Sequence, residues 1–422
     1  MVSFWKWLMI AKNLCLLFHS TVVFSMKNRV LQVLSVVLLL ALVQVGSGTP
    51  NSTYLPADAI TYFPDTEWTS TTPEEQGMNS TILADMMQFI EDSDAPIHGL
   101  LVTRNGHIVE EEYWSYYSET STHHIFSCTK SFTSTLIGIA IRECFIDNVS
   151  QKVLDFFPDM TIENMDARKE AMTLEHVLTM TTGLDWNEHN NSYEDPTNMY
   201  NQMFDSPNPI QFFLNLPTAY DPGTHWVYTT GASHLLSAII QVTTNMTTRE
   251  FADEYLFGPL NMTLGGWNQD LQGINNGGTQ LYITLRAMAK LGLLYLSNGT
   301  WNGQEILSDE YVCQAITPQA TIGTDLAYGY QWWLDTAYNT FSARGSEGQY
   351  IFVAPEFNIV IAITQGADDY GEDIHEEILQ YIANSIIDAE TTTNTEMDLL
   401  LPIIGIGAVA MVAVVVFHVR KS

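Results

Sequence analysis

The chain has 422 residues, 46% of them hydrophobic, so it can bury a large core and disorder is not its default. Sixteen basic residues against 48 acidic ones give a formal charge of −32, a surface that repels nucleic acid and anionic lipid heads. Four cysteines, at 15, 128, 144 and 313, imply no disulfide framework.

Residues 1–25 form an apolar piece broken by Lys12 and read as an upstream extension that a start at Met26 would omit. From Met26, "MKNRVLQVLSVVLLLALVQVGSG" joins Lys27 and Arg29 to an apolar run and small residues, which predicts a signal peptide over 26–48. The body, 49–388, follows. Its Asn-X-Ser/Thr triplets at Asn51, Asn79, Asn148, Asn190, Asn245, Asn261 and Asn298 predict an outward-facing, glycosylated domain. Within it, "HGLLVTRNGHIVEEEYWS" (98–115) alternates around Asn105-Gly106, a hairpin signal. From Ser127 to about Arg142 the residues are apolar or β-branched all round, which predicts a buried helix.

Between about 147 and 278 the chain is mostly helical, with "LEHVLTM", "PIQFFLNL", "ASHLLSAIIQVTT" and "TREFADEYLF" as its clearest pieces. "TLRAMAKLGLLYLSNGT" (284–300) predicts an amphipathic helix closed by an Asn-Gly turn. "YGYQWWLD", "TFSARG", "QYIFVAPE" and "FNIVIAIT" then read as short strands, and "GEDIHEEILQYIANSIIDA" as a terminal helix. A polar stalk (389–398) leads to "LLLPIIGIGAVAMVAVVVF" (399–417), long and uncharged enough to predict a transmembrane helix, with 418–422 as a cytoplasmic tail. The expected protein is therefore anchored in a lipid bilayer with its body outside. The element order predicts an α/β (α+β) fold, one antiparallel sheet built from both ends of the body and flanked by helices, around an inserted helical region.

Chemistry concentrates at "IFSCTKSFTSTLIGIAI" (125–141). Ser127, Cys128 and Thr129 are each candidate nucleophiles, and Lys130 a candidate base. Positions 127 and 130 share a helix face, so a lysine with a pKa lowered by burial can take the serine proton. Lysine is scarce in the body (Lys130, Lys152, Lys169 and Lys290), which makes one at this offset informative. Cys128 is turned about 100° from its neighbour and reads as packing. His123 and His124 precede the helix without an orienting partner. The histidines show no metal-ligand spacing, and no metal or cofactor is expected.

"FSCTKSFTSTLIG" resembles the nucleophile segment of the serine β-lactamase and penicillin-binding-protein superfamily, in its class C-like branch. Supporting segments run across nearly the whole body: "LEHVLTMTTGLDW" (174–186), "DPGTHWVYTTGASHLLSAIIQ" (221–241), "GGTQLYITLRAMAKLGLLYL" (277–296) and "GSEGQYIFVAPEFNIVIAIT" (345–364). The resemblance implies a β-lactamase-like fold with Ser127 acylated and Lys130 as its proton partner. Tyr228, by itself a core aromatic, would match the family's Tyr-X-Asn element. Beside Lys130 it is expected to have a lowered pKa suited to base work. Ser346, Glu347 and Gly348 would match a strand-edge triplet, with the Gln349 and Ser127 N–H groups as oxyanion donors.

Departures from the pattern narrow the substrate. Thr230 replaces the usual asparagine. Ser346 stands where lysine or histidine is common, so a carboxylate clamp is missing unless Arg344 turns inward. Trp186, Trp226, Trp332 and Trp333 read as core or as the wall of an acyl pocket. The implied activity is cleavage of a small ester, amide or peptide through an acyl-enzyme. The alternative is a catalytically weak module of the same fold that binds peptide or cell-envelope material.

Overall fold

The computed structural model describes residues 60, 62–64, 68–366 and 374–387. The strands of the first half are β1 (Ile97–Arg104), β2 (His107–Tyr113), β3 (Thr122–His124), β4 (Leu264–Trp267) and β5 (Leu281–Thr284). Those of the second half are β6 (Thr300–Trp301), β7 (Gln304–Glu305), β8 (Ala320–Thr321), β9 (Leu326–Tyr328), β10 (Trp333–Asp335), β11 (Thr340–Gly345), β12 (Gln349–Ala354) and β13 (Ile359–Gln365). The longer helices are α1 (Ser80–Asp92), α2 (Thr129–Arg142), α3 (Thr230–Thr244), α4 (Leu285–Leu296), α5 (Asp309–Ala315) and α6 (His375–Ser385).

One sheet has the spatial order β2-β1-β13-β12-β11-β10-β9-β8. The Asn105-Gly106 turn closes β1 on β2 with both residues at positive φ (55° and 86°), as a tight two-residue hairpin demands. Strand β13 returns from the far end of the chain to lie antiparallel to β1, Ile97 opposite Gln365 and Arg104 opposite Ile359.

Alternation along these strands sorts the core into two layers. Leu100, Val102, Ile359, Ile361 and Ile363 face the layer of α1 and α6. Leu101, Val360, Ala362, Ile351 and Val353 face the opposite layer, which holds α2, α3 and α4. Helix α1 lay outside the sequence expectation. The Asn79 side chain caps it by accepting from the Thr81 and Ile82 N–H groups, and Leu83, Met86 and Ile90 form its buried stripe. Helix α4 also differs from its amphipathic reading: every residue except Arg286 is buried, because the sheet covers one side and the helical layer the other. Gly292 of α4 lies against Val360, Ile351 and Val353 and lets the helix approach the sheet closely.

The β-lactamase-like α/β architecture fits, but its expected membrane span needs correction. Among the described residues no helix is long and apolar enough to cross a membrane. The stretch at 399–417 lies outside the described residues, as do the leader at 26–48, the extension before it and the stalk. The apolar residues of α2 and α4 are buried in the core, which accounts for their hydrophobicity.

Candidate active site

The nucleophile segment begins in a 3-10 turn, Phe126–Cys128, that runs directly into α2. Phe126 takes a left-handed backbone (φ 45°), a conformation that costs a bulky residue about 1–3 kcal/mol and persists only where its surroundings impose it. The chain turns sharply there and leaves Ser127 half-buried at the helix entrance, while Cys128, Thr129 and Lys130 point into the protein.

Lys130 is 2% exposed and donates to three oxygens: Ser127 Oγ at 3.1 Å, Thr230 Oγ1 at 3.1 Å and the Gly278 carbonyl at 2.8 Å. Burial lowers its pKa from 10.5 to about 8, opposed by the nearby Glu188 carboxylate and the Cys128 thiol. Gly278 is needed at its position. A Cβ there would meet Thr230 and stand 3.3 Å from the Lys130 Nζ.

Tyr228 leads into α3 and completes the cluster. Its ring centroid is 5.0 Å from Lys130 Nζ, and Ser127 is among the groups that act on its hydroxyl. Trp333 and His189 stack on the ring, at 5.9 and 5.3 Å between centroids. The expected lowering of the Tyr228 pKa is reversed. Burial and the Glu188 charge push the phenol well above its ordinary value, and Ser127 offsets only part of that. Tyr228 therefore remains a phenol at neutral pH.

The other sequence candidates fall in different places. Cys128 is fully buried and donates to the Gln349 carbonyl, and burial pushes its thiol well up, so it is packing. His124 accepts from the Gln280 N–H and stacks on Phe126, while His123 packs between Tyr117 and His98. Burial lowers both histidines to about 4. Trp186 is 4% exposed with its edge on Phe213, a core position rather than a pocket wall. Thr230 is equally enclosed. Arg344 sits over Trp333 at 5.5 Å and donates to Ser342 Oγ, on the aromatic wall that backs Tyr228. Among the described residues no group of three or more His, Cys, Asp or Glu could hold a metal.

Ser346, Glu347 and Gly348 lie not on a strand edge but in the 3-10 turn joining β11 to β12. Ser346 and Glu347 are exposed, and Glu347 is left-handed (φ 58°). Gln349, buried at the start of β12, lies opposite Gly345. Gly345 packs against the Ile125 carbonyl and Phe126 Cβ with no space for a side chain, which brings this hairpin onto the nucleophile turn. A cavity of about 570 Å3 adjoins the same corner. Phe126, His98, Tyr117, Glu347, Gln349 and Gln365 line it, while Ser127, Lys130 and Tyr228 are outside its wall.

Glu188 is the residue that sequence reasoning missed. It is 1% exposed and accepts from Trp186 Nε1 (2.8 Å), Tyr193 OH (2.9 Å), the Thr230 N–H (2.8 Å) and Thr230 Oγ1 (2.8 Å). Its position at the N-terminal end of α3 adds a favourable dipole. The resembling segment stops at Trp186, two residues short, and one acid among 48 carries no signal of its own.

Residues 83–382 match the family model described as Beta-lactamase. The chain belongs to the Beta-lactamase family. Like other members of this family, it is a serine hydrolase, of the esterase- or amidase-like kind. A curated relative, the 6-aminohexanoate-dimer hydrolase of Paenarthrobacter ureafaciens, is 24% identical over 306 residues, 67% of this chain and 75% of that protein. A putative 6-aminohexanoate-dimer hydrolase from Bacillus anthracis shares the fold with a TM-score of 0.62 and 20% identity, covering 80% of this chain and 90% of that one. A family VIII carboxylesterase superposes with a TM-score of 0.59 at 12% identity, covering 76% of this chain and 99% of its own. Likenesses this remote bear on the fold alone.

Proposed function

We propose that the protein cleaves small esters or amides through an acyl-enzyme on Ser127. The observation that carries this is the buried Lys130 amine, 3.1 Å from Ser127 Oγ with a pKa lowered to about 8. In its neutral form Lys130 accepts the Ser127 proton as Oγ attacks the substrate carbonyl. The main-chain N–H groups of Ser127 and Gln349 would receive the oxyanion, a reading supported by the packing of Gly345 on the nucleophile turn. Collapse breaks the bond to the leaving group, which takes a proton from the Tyr228 phenol, and Lys130 returns its proton to Tyr228. A water then attacks the acyl carbonyl, losing its proton to Lys130, and Ser127 leaves with that proton.

Substrate preference follows from what lies around the cavity. The exposed Glu347 carboxylate stands in the cavity wall. Its charge suits a substrate with a cationic group and opposes a carboxylate. Cleavage of short amino-acid-like amides, as the names of the 6-aminohexanoate-dimer hydrolases state for those proteins, is consistent with this.

The test is pre-steady-state release of p-nitrophenol from an ester, with intact mass after fluorophosphonate treatment. A stoichiometric burst and one adduct, both lost in Ser127→Ala, are expected. An adduct that survives in Ser127→Ala would place the nucleophile elsewhere.

A further inference from the structure

The Glu188–Thr230–Lys130 chain of hydrogen bonds has a direction, and that direction bears on the base. A carboxylate only accepts. Thr230 Oγ1 lies 2.8 Å from Glu188 Oε1, so its hydrogen points at Glu188 and leaves Thr230 Oγ1 with lone pairs only toward Lys130. The Gly278 carbonyl, the second partner of Lys130, likewise only accepts.

A protonated lysine has three hydrogens, and the third goes to Ser127 Oγ. A neutral one has two hydrogens and one lone pair. Both hydrogens are already claimed by Thr230 and Gly278, so the lone pair is left facing the Ser127 hydroxyl. Were the Thr230 hydroxyl free to turn, it could donate to the Lys130 lone pair and occupy the site that must receive the Ser127 proton.

We infer that Glu188 is a positioning residue that, through Thr230, aims the lone pair of neutral Lys130 at Ser127. This rests on the proposed role of Lys130 as base and goes beyond it. It also accounts for a threonine where the family pattern has asparagine: a hydroxyl pinned by a carboxylate is an acceptor toward the lysine, and its single hydrogen cannot serve both neighbours. The Glu188 charge has a second consequence, since it opposes the burial-driven lowering of the Lys130 pKa. Removing it moves the base to a still lower pKa.

The experiment measures the second-order rate of fluorophosphonate acylation against pH for the wild type, Glu188→Gln, Thr230→Val, Thr230→Ser and the double variant Glu188→Gln/Thr230→Val. Glu188→Gln is expected to lower the high-pH plateau about 10- to 100-fold, the range for a misaimed catalytic group, and to shift the midpoint to lower pH. Thr230→Val should lower the plateau similarly, Thr230→Ser should stay near wild type, and the double variant should lose no more than the worse single one. Loss of the charge moves the midpoint in either case, but a residue that only caps α3 would leave the high-pH plateau of the folded protein near wild type. A wild-type plateau in Glu188→Gln, or additive losses in the double variant, overturns the inference. Should Glu188→Gln not fold, Thr230→Val keeps the main-chain bond to Glu188 and decides alone: a wild-type plateau in it overturns the inference. Adduct formation in Ser127→Ala overturns the nucleophile assignment itself, and with it this role for Glu188.

Discussion

Acylation should follow the neutral fraction of one buried amine. Burial carries Lys130 from 10.5 to about 8. At about 1.4 kcal/mol per pKa unit this is about 3 kcal/mol of preference for the neutral form. A lysine at its ordinary pKa would be neutral in about one molecule in 3,000 at pH 7; at a pKa near 8 the fraction is about one in ten. Raising the pH deprotonates the base, so the rate should climb about tenfold per unit below the midpoint and level off above about pH 9. The assay is second-order fluorophosphonate labelling across that range, read by intact mass. His123 and His124, held to about 4, cannot produce this limb. Lys130→Arg keeps a charge but offers no neutral form, and should lose about 10²- to 10⁴-fold. A flat profile from about pH 6 to 9, or a midpoint unchanged in Lys130→Arg, would refute the assignment of Lys130 as base.

Tyr228→Phe should slow turnover most for substrates with poor leaving groups, such as alkyl esters or amides, and least for p-nitrophenyl esters; equal losses across the series would remove the phenol from leaving-group protonation. Cys128→Ala should keep fluorophosphonate labelling on Ser127, and in the native wild type iodoacetamide should modify the exposed Cys144 and Cys313 while leaving Cys128 untouched, as peptide mapping would report. Gly138 of α2 faces Leu307 and Tyr311 with no room for a Cβ, so Gly138→Val should cost about 1–3 kcal/mol in urea unfolding.

The sheet was legible because β1, β12 and β13 are short, mostly apolar runs bounded by turn residues, and Asn105-Gly106 marks the turn between β1 and β2. Helix α1 was not, since its stripe of Leu83, Met86 and Ile90 is diluted by polar neighbours and becomes decisive only against α6 and the sheet. At the site, Ser127 and Lys130 could be paired from local helix spacing. Tyr228 needed the resemblance, because its approach to Lys130 joins segments 98 positions apart. The direction of its pKa was misjudged for a physical reason: the reading weighed the lysine beside it, while burial of the ring, and after it the charge of Glu188 in a loop with no motif, push the phenol up. The strand reading of "TFSARG" and "QYIFVAPE" already left Ser346 to Gly348 between two strands, and it was the resemblance that put the triplet on a strand edge; the left-handed Glu347 turns the hairpin there.

The pairing of β1 with β13 has a consequence for how the enzyme comes into being. Strands that lie side by side in the sheet are separated by roughly 260 residues of chain, a long loop to close before any contact rewards it. Ser127 and Lys130 leave the ribosome early, but Gly278, the Gln349 hairpin and β13 follow much later. On the proposed mechanism, the nascent chain therefore carries Ser127 and Lys130 before the groups that surround the amine have been made, and competence waits on the last strands. High contact order here doubles as a timing device: the hydrolase cannot act on anything until nearly all of the domain has been synthesised.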